Sequence, residues 1–226
     1  MTYRLDADIP CIYPNWHQYG DFLQPPPVHS AASSDVLAAY IASNPVKCRD
    51  EYVKELMRFM PVASFGSCLN NRSPDDFVKG GWSRGAWESI LSVLPQYKFY
   101  LALENSRTTD YVTERIFHAL VCGTVPIYLG AENVRKFMPD DDAVIVASDF
   151  SGPKALADYL KLLDRDSGAY SKHLAWKSRG LSPQFRKLVD LGSTNPMHRL
   201  AVKLAHGCER NCDCGGRQRL ENEARL

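Results

Sequence analysis

The sequence predicts an α/β fold, a Rossmann-like parallel sheet with helices on both faces. Short apolar runs of strand length alternate with segments whose apolar residues recur at helical spacing. This alternation continues from Val36 to about Gly180, and strands that alternate with helices are typical of a parallel sheet covered on both faces. The 226 residues, 45% hydrophobic and 23% charged, fit one large globular domain, alone or with an appendage.

The elements follow one another as strand, turn and helix. The apolar run VLAAYIAS (36–43) predicts a strand, Asn44-Pro45 a turn, and RDEYVKELMRFM (49–60) a helix. Further strands are predicted at 61–66, 98–104, 125–130 and 143–150, and further helices at 86–94, 111–123 and 152–166. After Gly180 the pattern weakens, and 183–206 predicts terminal helices.

Charge and composition exclude several classes of protein. A formal net charge of +1 leaves no basic excess for binding nucleic acid. No apolar run approaches the roughly 18 residues of a membrane-spanning helix, and the N-terminus lacks the layout of a signal peptide. The sequence contains neither G-x-G-x-x-G nor a Walker loop, the two common glycine-rich motifs that bind nucleotide phosphates.

The seven cysteines fall into two groups. Four are scattered singly, which fits buried thiols or one or two disulfides: Cys11, Cys48, Cys68 and Cys122. The terminal HGCERNCDCGG is compact, but its C-x3-C-x-C spacing is not a usual zinc spacing. A disulfide hairpin or an unstructured tail is favoured there over a metal site built from His206, Cys208, Cys212 and Cys214.

A polar block, NSRTTDYVTER (105–115), separates a buried strand from the next helix. In an open parallel sheet, ligands bind outside the carboxyl ends of the strands, where helix N-termini offer free N–H groups. Glu104 and Asn105 follow the strand, and residues 111–115 are predicted to form the first turn of the helix. The block is therefore predicted to lie at the ligand-binding edge.

Two cations at this edge suggest an anion site. Asp110 suits a helix N-cap and Glu114 suits the helix dipole, so both have purely structural interpretations. Arg115 opposes the dipole, which a bound anion would explain. Arg49 occupies the first turn of its own helix at the same kind of edge, so two arginines could clamp a diphosphate. The alternative is that both arginines form surface salt bridges.

The central segment resembles a known family. YKFYLALENSRTTDYVTERIFHALVCGTVPIYLGAENVRKFMP (97–139) resembles the donor-binding motif of the α1,3/4-fucosyltransferases, usually FYLAFENS, a polar link, DYxTEK, a helix and a VPV(Y/V)xG strand. Four further stretches are similar, in the family's order, over roughly residues 1–185: MTYRLDADIP, ASNPVKCRDEYVKELMRFMPVASFGSCLNN, AVIVASDF and HLAWKSRGLSPQF.

The resemblance implies a fold and a reaction. Family members have a GT-B architecture of two Rossmann-like domains, and the C-terminal domain binds GDP-fucose. They transfer L-fucose with inversion, usually to the 3-hydroxyl of N-acetylglucosamine or glucose in glycans. They are membrane-anchored in the Golgi lumen. No D-x-D motif ends a predicted strand, so no metal or other cofactor is expected to be required, and stimulation by Mn²⁺ stays open.

The resemblance also assigns donor-binding residues. Arg49 matches an arginine that binds donor phosphates, and Asn105, Tyr111 and Glu114 match nucleotide-sugar contacts. Arg115 stands where the family usually has lysine, which keeps the charge but replaces a point ammonium with a planar fork.

The family's general base and membrane anchor lie in an acceptor-binding domain that precedes the segment matched here. We therefore expect residues 1–35 to lead in from that domain, 36–180 to bind GDP-fucose, and 181–226 to form C-terminal helices and a cysteine-containing tail. No catalytic base is assigned, and this chain is expected to be a fragment or a copy that has lost the reaction. Four aspartates are given structural roles in turns and caps: Asp6, Asp8, Asp75 and Asp76.

Three alternatives to an α1,3-fucosyltransferase stay open. A protein O-fucosyltransferase of the same family is not separated by the sequence, because acceptor choice depends on the other domain. A non-catalytic GDP-sugar-binding module would bind nucleotide without transfer. An unrelated Rossmann-like domain would use the charged block only as a helix cap.

Overall fold

A computed structural model describes residues 1–16, 19–27, 36–73 and 87–211. The five strands are β1 (Ala38–Ile41), β2 (Val62–Phe65), β3 (Phe99–Leu103), β4 (Val125–Leu129) and β5 (Ile145–Val146). The α-helices are α1 (Tyr19–Phe22), α2 (Lys47–Leu56), α3 (Trp87–Val93), α4 (Glu114–Cys122), α5 (Pro153–Arg165), α6 (Ser167–Lys172), α7 (Trp176–Arg179), α8 (Pro183–Ser193) and α9 (Pro196–Asn211).

The strands form one parallel sheet in the order β2-β1-β3-β4-β5. Because β1 has β2 on one side and β3 on the other, the strand order reverses between β1 and β3. Such a reversal opens a crevice at the carboxyl ends of the two strands, where ligands bind in doubly wound sheets. The predicted fold class is confirmed.

Helices cover both faces of the sheet. Along β3, Tyr100 and Ala102 belong to one buried cluster and Phe99, Leu101 and Leu103 to the other, which follows from the alternation of side chains along a strand. Helices α2 and α5 pack on the Phe99 face, whereas α1, α4 and α8 pack on the Tyr100 face. Both clusters are apolar, and their burial is the main stabilising contribution to the domain.

The strand predicted at 143–150 is shorter than expected. β5 covers only Ile145–Val146, which pair with Ile127 and Tyr128 of β4, and a 3-10 turn follows at Ala147–Asp149. β5 is an edge strand, so only one neighbour supports it, and its pairing ends where the chain turns toward α5. Pro153 opens α5 in the first helical turn, as its fixed φ favours.

The described part of the N-terminal segment packs on the same domain. Ile9, Ile12 and Phe22 are buried, and the Phe22 ring meets Phe185 of α8 edge-on at 5.1 Å. Lys177 donates hydrogen bonds to the carbonyls of Phe22, Gln24 and Val121, at 2.7, 3.1 and 3.4 Å. The division at residues 35 and 180 stays a prediction. Of the helices described, none has the length and apolar character to cross a membrane.

Candidate functional site

Arg49 is buried at the crevice between β1 and β3. It is the third residue of α2, and its side chain is only 2% exposed. Its guanidinium donates to the Asn44 carbonyl and to the Asn105 amide oxygen, and its Nε lies 3.3 Å from the Asp50 carboxylate. Arg49 therefore makes a partly buried ion pair rather than a surface one, and it joins the loop after β1 to the second residue after β3.

Asn105 is exposed, and Arg49 fixes its orientation. A guanidinium only donates hydrogen bonds, so the amide atom that faces Arg49 must be the oxygen. The amide Nδ2 and its two hydrogens are consequently directed away from Arg49. The pair thus offers two N–H donors on an exposed side chain at the strand-order reversal.

Arg115 reaches across the same crevice from the other side. It is the second residue of α4, and its Nη1 donates to the Ile41 carbonyl of β1 at 2.8 Å. Among the described residues, Arg115 has no carboxylate oxygen within the 4.0 Å of an ion pair. Both predicted cations are therefore tied to carbonyls of the segment 41–44.

Asp110 does not cap α4, contrary to the sequence prediction. It adopts a left-handed conformation with φ +65°, and its buried carboxylate accepts from Leu5 N at 3.1 Å and from Asn133 Nδ2 at 2.7 Å. Its own N–H donates to Asn133 Oδ1 at 3.1 Å. Asp110 therefore anchors the connector between β3 and α4 (residues 104–113, hereafter the β3–α4 connector) to two distant loops.

The helix consequently starts later than predicted. Residues 111–113 precede α4, whose N-cap is Thr113 in an extended conformation. Glu114 and Arg115 are thus the first two helical residues, and Tyr111 belongs to the β3–α4 connector. Glu114 is half-buried at the helix N-terminus, where a negative side chain is favourable.

Tyr111 is half-buried in a cluster of tyrosines. The rings of Tyr3 and Tyr13 meet the Tyr111 ring edge-on, at 5.2 and 6.5 Å. The Tyr111 carbonyl accepts from the Tyr128 hydroxyl at 3.2 Å. The N-terminal segment therefore borders the predicted site directly. Its predicted role as a lead-in from another domain did not include this contact.

Glu104 also lies in the site, although the sequence predicted no role for it. It is 5% exposed, and its two carboxylate oxygens accept from Thr113 N at 2.7 Å and Thr113 Oγ1 at 2.8 Å. Burial raises the pKa of the Glu104 carboxyl to about 7, although the bonds from Thr113 and the charge of Arg115 act in the opposite direction. A carboxylate directly after an all-apolar strand was the available signal.

Gly130 leaves the space that this arrangement needs. A Cβ at Gly130 would lie 2.4 Å from Tyr128 Oη and 2.6 Å from Glu104 Cγ. Any larger residue would displace one of these two buried side chains. The glycine at the end of β4 is therefore required by packing against Glu104 and Tyr128.

The other sequence candidates lie away from this edge or outside the described residues. Asp6 pairs with Arg4, and Asp8 pairs with Lys203 of α9, in keeping with structural roles. The four scattered cysteines are free thiols: Cys11, Cys48, Cys68 and Cys122. Within the described ranges, no three His, Cys, Asp or Glu side chains are grouped as a metal would need. Asp75, Asp76, Cys212 and Cys214 lie outside those ranges, as do the side chains of His206 and Cys208.

A model of glycosyltransferase family 10 (fucosyltransferase), C-terminal part, matches residues 31–210. The match covers well over half of the chain. This chain belongs to the family 10 fucosyltransferases. The resemblance stated from the sequence is confirmed, and the sheet is the C-terminal half of a GT-B glycosyltransferase.

Curated relatives of this family 10 chain are named as protein O-fucosyltransferases. GDP-fucose protein O-fucosyltransferase 3 from Xenopus tropicalis is 40% identical over 144 residues, 63% of this chain and 30% of that protein. The protein of the same name from Mus musculus is 38% identical over 154 residues, 67% and 32% of the two chains. The chain thus spans about a third of the length of these curated relatives.

Solved structures of α1,3-fucosyltransferases are also similar. One with GDP-fucose superposes with a TM-score of 0.56 at 26% identity, covering 74% of this chain and 45% of that chain. One with GDP superposes with a TM-score of 0.51 at 30% identity, covering 62% and 38%. The family 10 assignment therefore rests on sequence and on fold together.

Proposed function

We propose that this chain is the donor-binding part of a fucosyltransferase and that it binds GDP-fucose in the crevice between β1 and β3. The observation that supports this most directly is Arg115. It is a half-buried cation at a helix N-terminus, and within the described part of the chain no carboxylate pairs with it. Glu104 and Glu114 act on Arg115 electrostatically but lie beyond ion-pair distance, so a diphosphate would be its direct ionic partner. Solved α1,3-fucosyltransferases of similar fold contain GDP or GDP-fucose.

In this proposal each site residue contacts a different part of the nucleotide sugar. Arg115 neutralises a phosphate, and the Asn105 amide donates to a phosphate oxygen, with Arg49 holding that amide in place. Glu114 accepts ribose hydroxyls, and Tyr111 packs against the nucleotide sugar. As the fucose–phosphate bond breaks, negative charge builds on the β-phosphate, and fixed cations and N–H donors stabilise that charge.

The fucosyl group must also meet an acceptor. As the anomeric carbon loses the phosphate, it gains oxocarbenium character, and a carboxylate must take the proton from the incoming hydroxyl. Glu104 is unsuited to that task because it is buried and both of its oxygens are engaged by Thr113. We assign no general base among the described residues.

We propose a protein hydroxyl as the acceptor. The curated relatives, at 38–40% identity, are named protein O-fucosyltransferases. Transfer in α1,3 linkage to a glycan is the second candidate, supported by the α1,3-fucosyltransferase structures at 26–30% identity. A location in the Golgi lumen, tethered to its membrane, is proposed from the family resemblance and is tested by imaging a tagged protein against Golgi markers.

Calorimetric titration of the purified chain with GDP tests the donor site. Arg115→Ala is expected to weaken binding at least tenfold, because a charge-assisted bond to phosphate is worth about 1.5–3 kcal/mol. Arg165→Ala is the matched control, since Arg165 is exposed in the last turn of α5, away from the carboxyl edge of the sheet. A folded wild-type chain that fails to bind GDP at about 1 mM would overturn the proposal.

Release of GDP from GDP-fucose then tests the transfer. With this chain joined to an acceptor-binding domain of the family, incubation with folded protein acceptors is expected to yield fucosylated protein, and incubation with N-acetylglucosamine-terminated glycans tests the second candidate. Binding of GDP-fucose without transfer to either acceptor would support a non-catalytic donor module instead.

A further inference from the structure

The buried carboxylate of Glu104 lies directly behind the crevice. It follows β3, and with 5% of its surface exposed it offers little surface for a ligand to contact. Both oxygens are committed to a single residue, Thr113, nine positions along the chain. Burying a carboxylate costs free energy, and the hydrogen bonds that it accepts must offset that cost.

Thr113 is the N-cap of α4, but it does not cap in the usual way. An N-cap hydroxyl ordinarily accepts from an N–H in the first helical turn, and Thr113 makes no such bond. Its hydroxyl and its N–H both donate to Glu104. The start of α4 is thereby tied to the end of β3 rather than to its own first turn.

The β3–α4 connector is also held from the β4 side. The Tyr128 hydroxyl donates to the Tyr111 carbonyl at 3.2 Å and accepts from Ala131 N at 3.0 Å. Gly130 lies against both Tyr128 and Glu104. Two of the residues that immediately precede Glu114 and Arg115 are therefore fixed by buried groups of the sheet.

We infer that Glu104 is a positioning residue for nucleotide binding, acting through Thr113 on the start of α4 and so on Glu114 and Arg115. This inference rests on the proposed donor site. Arg115 hydrogen-bonds the Ile41 carbonyl and the Tyr100 side chain, which both belong to the sheet, so its fit to these groups depends on where α4 begins. Releasing Thr113 would let the first turn of α4 shift and would weaken phosphate binding.

A pair of threonine variants separates positioning from general stability. Thr113→Val and Thr124→Val each remove one buried hydroxyl that donates a 2.8 Å bond, the second to the Leu94 carbonyl. Thr124 lies just beyond the opposite end of α4, so it serves as the matched control. We expect both to lower the melting temperature similarly, whereas Thr113→Val alone weakens GDP binding, by about 3- to 10-fold. Thr113→Ser restores the hydroxyl and is expected to restore the affinity.

Variants of Glu104 test the same inference independently of Thr113→Val, in case that variant does not fold. Glu104→Gln keeps the shape, accepts from Thr113 N, and can donate to Thr113 Oγ1, so its GDP affinity is expected within about 3-fold of wild type. Glu104→Leu makes neither bond and is expected to lose about 10-fold or more. The inference is overturned if wild type binds GDP but Thr113→Val or Glu104→Leu binds it equally well. A wild-type chain that does not bind GDP overturns the proposed function instead, and this inference with it.

Discussion

Changing Asn105 to aspartate is expected to stabilise the fold and to weaken nucleotide binding strongly. The Asn105 amide oxygen accepts from the buried Arg49, and its Nδ2 is directed away from that cation. Aspartate has the same shape, so one carboxylate oxygen can replace the amide oxygen against Arg49. The other oxygen replaces the N–H donors with negative charge at the place where we propose a phosphate.

The two effects have opposite signs and unequal sizes. Against Arg49, a charged acceptor in place of a neutral one is worth about 1 kcal/mol, with little desolvation cost because Asn105 is exposed. Toward the phosphate, the lost donor costs about 1.5–3 kcal/mol. Repulsion between unit charges about 4 Å apart adds up to about 4 kcal/mol at an effective dielectric constant near 20. Even a largely screened repulsion brings the loss to more than about 100-fold in affinity.

Asn105→Ala is the matched control, because it removes the donors without adding charge and leaves Arg49 one acceptor short. Thermal unfolding is expected to rank the variants Asp, Asn, Ala from most to least stable. Calorimetry with GDP is expected to rank them Asn, Ala, Asp from tightest to weakest. If Asn105→Asp bound GDP as well as Asn105→Ala, the amide would not face a phosphate. If Asn105→Asp had a lower melting temperature than wild type, the amide oxygen of Asn105 would not accept from Arg49.

Three further changes test the surroundings of the site. Burial raises the pKa of Glu104 from 4.5 to about 7, so the folded protein loses stability as pH rises from about 4.5 to 7, and the loss levels off above 7. The stability of Glu104→Gln relative to wild type should therefore increase by about 2.5 kcal/mol between pH 5 and pH 8, measured by denaturant unfolding. Gly130→Ala should cost about 1–3 kcal/mol in the same assay, because its Cβ would overlap Tyr128 and Glu104, and no loss would show that these side chains can move aside. Lys177→Met leaves three carbonyls without their donor and should lower stability by at least about 2 kcal/mol; an unchanged unfolding midpoint would mean that water replaces the ammonium.

Local patterns were sufficient to predict the layers of the fold. β3 shows why, since its five residues are all buried and alternate between two apolar clusters, as a strand covered on both faces requires. The short helix α6 was missed, although a local signal was present: the Asp166 carboxylate caps it by accepting from Ala169 N at 2.9 Å. Its few apolar residues gave no helical periodicity to detect.

The start of α4 could not be predicted locally, because distant residues determine it. The tyrosine, valine and threonine at 111–113 are compatible with a helical turn, but Asp110 takes up a left-handed conformation to bind Leu5 and Asn133. Thr113 is likewise bound to Glu104 across the β3–α4 connector. These bonds join residues up to 105 positions apart, a distance over which helix propensity carries no information.

The contact between Arg49 and Asn105 was equally inaccessible, since it depends on β1 and β3 being neighbours in the sheet. The sequence placed both residues after strands, but the strand order decides whether two such edges meet. Resemblance to a family supplied the residues, and the parallel pairing of β1 with β3 supplied the reason that they lie together. Whether Arg49 and Arg115 clamp one diphosphate stays a prediction.

The two arginines have different partners and therefore different proposed roles. Arg49 orients Asn105, whereas Arg115 supplies positive charge to a ligand. Arg49 is buried and paired with Asp50, so its charge is already balanced, and three acceptors on three residues fix its guanidinium. A lysine ammonium lacks the planar fork that reaches these three acceptors, so we expect Arg49→Lys to loosen the orientation of Asn105. Arg115 hydrogen-bonds the Ile41 carbonyl and the Tyr100 side chain, and in the described ranges no carboxylate lies within ion-pair distance of it, so its charge is accessible to a ligand. A lysine there would keep that charge, so we expect arginine in place of the family's usual lysine to preserve the proposed phosphate contact.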